Sequence, residues 1–589
     1  MKFASFLFAT LVTLFTISHA PAQEVDTSGS SAYSYGSSAR MHPTKGVNGM
    51  VTAIEPLAAR AGRDILAQGG NAVDAAVATG FALAVTHPEA GNIGGGGFMM
   101  ISLPELDEVI ALDYREMAPA AAYRDMLLDE NGDYDTDRAI YSYLGTGVPG
   151  SVMGMTQALK KYGTLPLKQV MAPAIRLAES GYILNYAKEE AFEANVEDLK
   201  RDPSTAEFFF KADGTTYKMG ERLKQPVLAR TLNIIAEQGA KGFYEGEIAA
   251  LIVAEMDSNR GLITLDDLKN YKAIERKPII GTFRGHEIYT MPPASSGGIH
   301  LVQMLNILEG YDLKSMGHNS ADYIAALVES MRRAYADRSE YLGDPAYTDV
   351  PVEELIDKAY ADKLRAQINL KQASLSTDIS PGLEAPYESP QTTHYSVMDK
   401  DGGAVSVTTT INLAYGGGGS VDGAGFFLNN EMDDFSAKPG TPNAFGLIGG
   451  VANEIEPGKR PLSSMTPTIV QKDGEVVLVT GSPGGSTIIT IVMQMVLNVI
   501  EFNMNIAEAS VAPRVHHQWL PDVLMTEAGV SQDTLDILRA RNFILPATPA
   551  GGGSPYSSTL GRTNSITHHD GIYYGFSDLR GLEYGVAGY

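Results

Sequence analysis

The sequence predicts an α+β protein, on three observations. Asp-Gly turns at 400–403, 472–475 and 569–572 each separate two alternating runs in the last third, a strong short-range hairpin signal. Helical apolar spacing marks much of the first two thirds; in one helix Ser320 is the cap and Ile324, Leu327, Val328, Met331 and Tyr335 share a face. The run from Ile488 to Ile500 contains Gln494 and Asn498 and is too short to span a membrane, so it reads as a buried helix.

Composition narrows the function. At 589 residues the chain is long enough for about three or four domain-sized units or one large two-layered enzyme. Apolar residues make up 44% and charged residues 20%, which is globular, while 70 acidic against 45 basic residues leave a formal charge of −25. That balance argues against nucleic acid or an anionic membrane as partner, since both demand basic clusters. The chain has no cysteine, so disulfides and thiolate chemistry are excluded.

The N-terminus has the parts of a secretory signal over 1–22: Lys2, an apolar run from Phe3 to Ile17, and Ala20-Pro21-Ala22 before the expected cut. Export without cysteine suits a bacterial periplasm or exterior. Residues 23–45 form a flexible tail, with Ser and Gly too frequent across 26–40 to bury anything, and order is expected from about Gly46. Asn71 to Val85 suits a tightly packed helix. The glycines at 94–97 lack the Lys-Ser/Thr pair of a phosphate loop and read as close backbone packing.

Asp113, Arg115 and Glu116 end a strand-like run, and locally they read as a solvated strand end or a structural ion pair. Arg332, Arg333, Asp337, Arg338 and Glu340 are most simply a solvated helix face. Met291 to Gly298 is a turn before another helix, and 381–390 looks like an exposed linker suited to processing. The adjacent pairs His516-His517 and His568-His569 lack the spacing of metal ligands on one helix, and the first pair is expected to be structural near Trp519.

Chemistry converges after the linker. A Thr hydroxyl is a poor nucleophile, but a Thr at a chain's own N-terminus carries an α-amine of pKa about 7.7–8 that accepts its proton. Cutting between Gln391 and Thr392 would build that catalyst, whereas Thr393, Tyr395 and Val397 also alternate as in any ordinary strand. A three-residue loop at 401–403 would pair residue 400 with 404 and set Thr392 opposite Asn412, with Thr410 diagonal on the same face. The Gly/Pro-rich segment 438–450 resembles a lid. Gly481 to Ser486 is either a plain turn or a source of backbone N–H groups for an oxyanion.

Thr-Thr-His-Tyr-Ser-Val at 392–397, Asn-Glu-Met-Asp-Asp-Phe-Ser at 430–436, Arg-Pro-Leu-Ser-Ser-Met at 460–465 and Gly-Ser-Pro-Gly-Gly at 481–485 together resemble the bacterial γ-glutamyltranspeptidases of the N-terminal-nucleophile hydrolases. The resemblance covers nearly the whole chain after the signal. It implies a four-layer αββα sandwich that cuts itself into a large subunit, 46–391 with its tail, and a small catalytic subunit, 392–589. Thr392 is then the nucleophile, hydrogen-bonded by Thr410, with Gly484 and Gly485 on the oxyanion. Arg115, Ser463 and Ser464 would hold the donor's α-carboxylate, and Asn412, Glu431 and Asp434 its α-ammonium.

The implied donor is glutathione, the acceptor water, an amino acid or a peptide, and no cofactor or metal is required. The two subunits would form a heterodimer, without a membrane span once the signal is removed. Two positions depart from many relatives: Glu431 replaces Gln, and Phe445 in the lid replaces a gating Tyr. The competing readings are a cephalosporin or glutaryl acylase of the same fold, and an uncleaved protein that binds γ-glutamyl peptides. Retention of Asn412 and Asp434 argues against the first, since an acylase side chain lacks the ammonium.

Overall fold

The computed structural model describes residues 41–379, 392–441, 447, 449–546 and 560–589. The signal, all of the tail before 41, the linker 381–390, Gln391 and Phe445 lie outside the described residues.

The hairpin strands all form, but they do not make a sheet of their own. Two seven-stranded sheets, antiparallel throughout, draw strands from both parts of the chain. One runs in the order Gly585–Gly588, Gly49–Ala53, Thr392–Asp399, Ala404–Thr410, Gly96–Ser102, Ile110–Asp113 and Ile274–Arg276. The other runs Thr44–Gly46, Ile572–Ser577, Asn564–His569, Glu475–Thr480, Thr468–Lys472, His286–Thr290 and Ile279–Phe283. Pairing thus begins at Thr44, slightly inside the segment read as tail.

Helices cover both outer faces. Pro56–Ala67 and Ala72–Thr86 pack on the first sheet, and Val397, Val405 and Val407 point into their shared core. Asn71 caps the second of these helices in a reciprocal capping box with Asp74, which is why the run starts where it does. Gly297–Glu309 and Thr487–Ile500 share a core with Val470 and Leu478 of the second sheet, and Ala321–Tyr341 packs outside them. The αββα order follows, and the apolar run ending at Ile500 is the buried helix its composition required.

Between the sheets the layer is mixed: Met50, Phe98, Met100 and Met398 of the first sheet join the apolar core of the second, and polar groups lie toward the Thr392 end. Along Thr392–Asp399 the odd residues face the apolar helices, whereas His394 and Ser396 face the second sheet and are fully buried. Ser396 Oγ donates to Asn564 O at 2.8 Å, Asn564 Nδ2 donates to His394 O at 2.9 Å, and Ser406 Oγ donates to Thr480 O at 3.1 Å. These three bonds cross from one sheet to the other and help to fix how the sheets sit on one another. Thr392 lies at the open end of this layer.

The helix Ala321–Tyr341 corrects one reading. Arg332, Arg333, Asp337 and Arg338 are buried, not solvated. Arg332 pairs with Asp522, Arg333 with Glu329 at 2.7 Å, and Asp337 accepts from Gln303 Nε2 at 2.5 Å. A helix enclosed on all sides must satisfy its charged face internally.

Candidate active site

Thr392 is the first residue of a central strand and stands directly opposite Thr410. The expected partner was Asn412. The loop has the three residues predicted, but it is placed one residue earlier: Asp399 N donates to Gly403 O at 2.9 Å and the loop is 400–402. Gly402, at φ +93°, supplies the left-handed residue that closes such a loop, and Asp399 Oδ1 accepts from the N–H groups of Asp401 and Gly403. The register therefore moves by two, which keeps Thr392 and Thr410 on one face and leaves Asn412 beyond the strand.

Thr410 is held from three directions. Asn92 Nδ2 donates to Thr410 O at 2.9 Å, and Thr410 Oγ1 accepts the Asn412 N–H at 2.8 Å. Gly95 lies so close that a Cβ there would be 2.1 Å from Thr410 O, so the glycines at 94–97 do serve backbone packing. Asn412 adopts φ +72°, a conformation Asn tolerates, and its Nδ2 donates to Asn430 O at 2.9 Å. Among the described residues its Oδ1 is buried without a hydrogen-bond partner, as is Glu431 Oε2.

Arg115, fully buried, donates through its two terminal nitrogens to Glu431 and Asp434 and through Nε to Pro461 O at 3.3 Å. Glu116 Oε2 lies 3.6 Å from the same guanidinium. Burial pushes the Glu116 carboxyl up to about 7, against the pull of Arg115. Burial also raises Glu431, helped by Glu116 and Asp434. One guanidinium faces three carboxylates here, so the cluster keeps a proton near neutrality.

Ser463 and Ser464 are stitched to the turn before Gly297–Glu309. Ser296 N and Oγ both donate to Ser463 O at 2.8 Å, and Ser295 Oγ donates to Met465 O at 2.6 Å. Ser463 Oγ accepts from Met465 N at 3.1 Å, and Ser464 Oγ accepts from Arg338 Nη2 at 3.2 Å. Gly484 and Gly485 carry φ of +141° and +54°, and a Cβ on Gly484 would meet Thr487 Oγ1 at 2.5 Å. That backbone is one only glycine adopts readily.

Arg115, Thr392, Thr410, Asn412, Glu431, Asp434, Ser463, Ser464 and Gly485 all line one pocket, with Gly484 adjoining Gly485. Leu447, from the lid-like segment, joins the wall, as does Arg338. Sequence reading missed Arg338 because helical spacing alone cannot tell an enclosed polar face from a solvated one. A larger cavity of about 790 Å³ lies at the hairpin end, beside Lys400 and Gly571, and contains none of these groups.

His394, two residues from Thr392, is pushed down to about 3 by burial and bonds the hydroxyls of Thr408 and Ser396. It stays uncharged. His517 accepts the Trp519 N–H at 3.1 Å, as its structural reading anticipated. Among the described residues no group of His, Cys, Asp and Glu is arranged to hold a metal ion.

The family model for gamma-glutamyltranspeptidase matches residues 58–588. The glutathione hydrolase proenzyme of Escherichia coli is 51% identical over 549 residues, 93% of each chain. A cephalosporin acylase from Bacillus halodurans superposes with a TM-score of 0.80 at 28% identity, covering 94% of this chain and 98% of its own. A gamma-glutamyltranspeptidase structure from Helicobacter pylori is 47% identical, with a TM-score of 0.55, over 56% of this chain and 93% of its own. The acylase is thus the more distant in sequence, and the chain belongs to the gamma-glutamyltranspeptidase family.

Proposed function

We propose that the protein cuts itself before Thr392 and then works as a γ-glutamyltransferase and glutathione hydrolase. The observation that carries this reading is the placing of Thr392, at the start of a central strand, in one pocket with the guanidiniums of Arg115 and Arg338, two carboxylates and two serine hydroxyls. A zwitterionic head group needs a cationic end and an anionic end, and few other ligands use both.

In this reading Arg115, Ser463 and Ser464 hold the donor's α-carboxylate. Asn412 Oδ1 and Glu431 Oε2, buried acceptors without a partner among the described residues, take the α-ammonium together with Asp434. Binding adds a matched pair of charges to a cluster in which Arg115 is already paired, so the guanidinium exchanges part of its contact with Glu431 and Asp434 for the substrate.

The donor's γ-carbonyl then lies at Thr392. The α-amine freed by self-cleavage accepts the Oγ proton as Oγ attacks, and the backbone N–H groups of Gly484 and Gly485 stabilise the tetrahedral oxyanion. The same amine returns the proton to the leaving amine. The resulting γ-glutamyl ester is released by water or by the amine of an amino acid or peptide. Thr410 orients the Thr392 hydroxyl, and the neutral His394 adds no charge of its own beside the α-amine.

The large and small chains act as a heterodimer, exported to the periplasm or beyond after removal of 1–22. Among the described residues no helix is long and apolar enough to cross a membrane. Comparing turnover of γ-glutamyl-anilide and glutaryl-anilide tests the reading. The γ-glutamyl compound should be far faster; faster glutaryl hydrolysis would make the protein an acylase.

A further inference from the structure

Arg338 belongs to a helix far from Thr392 in sequence, yet it is buried in the wall of the donor pocket. Its guanidinium spans two serines: Nε donates to Ser296 Oγ at 2.9 Å and Nη2 donates to Ser464 Oγ at 3.2 Å. Ser296 in turn donates to the carbonyl of Ser463. One side chain therefore ties together the segments that present both serine hydroxyls.

The direction of these bonds matters. A hydroxyl has one hydrogen to give. Ser464 Oγ receives from Arg338 and Ser463 Oγ receives from Met465 N, so each is occupied as an acceptor on the protein side. Each is left to donate its own hydrogen to a ligand. Two such donors suit a carboxylate, and a hydroxyl polarised by a guanidinium is the stronger of them.

Building on the proposed function, we infer that Arg338 is a positioning residue for the α-carboxylate of the donor, acting through Ser464. It sets the specificity of the pocket for an α-amino acid head group and takes no part in self-cleavage or in the acyl transfer itself.

The test uses Arg338→Met and Arg338→Lys in the full chain, with self-cleavage and thermal unfolding as controls for folding. The KM for γ-glutamyl-anilide is measured, together with inhibition constants for L-glutamate and for 4-aminobutyrate, which keeps the amine and lacks the α-carboxylate. Loss of one hydrogen bond to a charged group corresponds to about tenfold to hundredfold in binding. Arg338→Met should raise KM and the L-glutamate constant by about that factor, with kcat changed far less and 4-aminobutyrate binding within about twofold. In a Ser464→Ala background the same substitution should add little.

Equal weakening for L-glutamate and 4-aminobutyrate, or full additivity with Ser464→Ala, would overturn the inference. If Arg338→Met fails to fold, Arg338→Lys carries the same comparison with charge retained and the two-serine fork lost. Wild-type protein that ignores γ-glutamyl-anilide would instead sink the proposed function, a separate outcome.

Discussion

At Thr392 residue type offers the proposed chemistry, because an N-terminal Thr carries its own amine, but the stretch alone also reads as an ordinary strand and the family resemblance decides between the two. Thr392→Ala should abolish both self-cleavage and turnover, read as a single band on a denaturing gel and no anilide release; retained cleavage would move the cut elsewhere. Arg115→Ala should leave cleavage intact and raise the donor KM by about a hundredfold or more, as expected for removing a buried charged hydrogen-bonding group. Equal loss of cleavage would mean that Arg115 shapes the fold instead. What residue type could not reveal was the pairing among the pocket's own residues. Nothing in the spacing of positions 115, 431 and 434 says that the proposed anion ligand and ammonium ligands bond each other, because that depends on a contact across more than three hundred residues.

Elements were legible where a local signal fixed them. The three hairpins, the Asn71 cap and the helix before Ile500 each follow from a turn, a cap or a composition. The Thr392 register was close but two residues off, since both placements of a three-residue loop satisfy the alternation and only Asp399's bonds to the turn decide between them. The glycines allow a quantitative contrast. Gly402→Ala meets nothing closer than Pro104 at 3.8 Å, so it should cost only the left-handed conformation, about 1 kcal/mol, with cleavage and activity intact. Gly95→Ala drives a Cβ into the Thr410 carbonyl and should abolish or severely slow self-cleavage in protein that remains soluble. Similar effects at both sites would contradict the packing account.

On the scale of the whole molecule, both sheets interleave strands from before and after Thr392, which no reading of separate segments could show. Lys188 Nζ adds a buried tie to Glu583, 2.9 Å away across the future cut. The cleaved chains should therefore co-elute on size exclusion and separate only in denaturant.

Burial also sets the molecule's response to acid. His300 and His394 are pushed down to about 3, and His318, His516 and His517 to about 4, mainly by burial. Groups of lowered pKa stabilise above 6.5 and lose that contribution as pH falls. Glu55 and Glu116, raised to about 7, act oppositely and favour the folded state below 4.5. Burial raises Glu431 and Asp337 and lowers His568 as well, so six histidines stand against four carboxyls and the thermal midpoint should fall from pH 6.5 to 4.5; a rise would contradict this balance.

The most direct measurement is the intact mass and N-terminal sequence of the purified protein. Two chains, the smaller beginning Thr-Thr-His-Tyr-Ser, are predicted. An active single chain running through Thr392, or a small chain that starts at another residue, would contradict the assignment of Thr392 as the nucleophile.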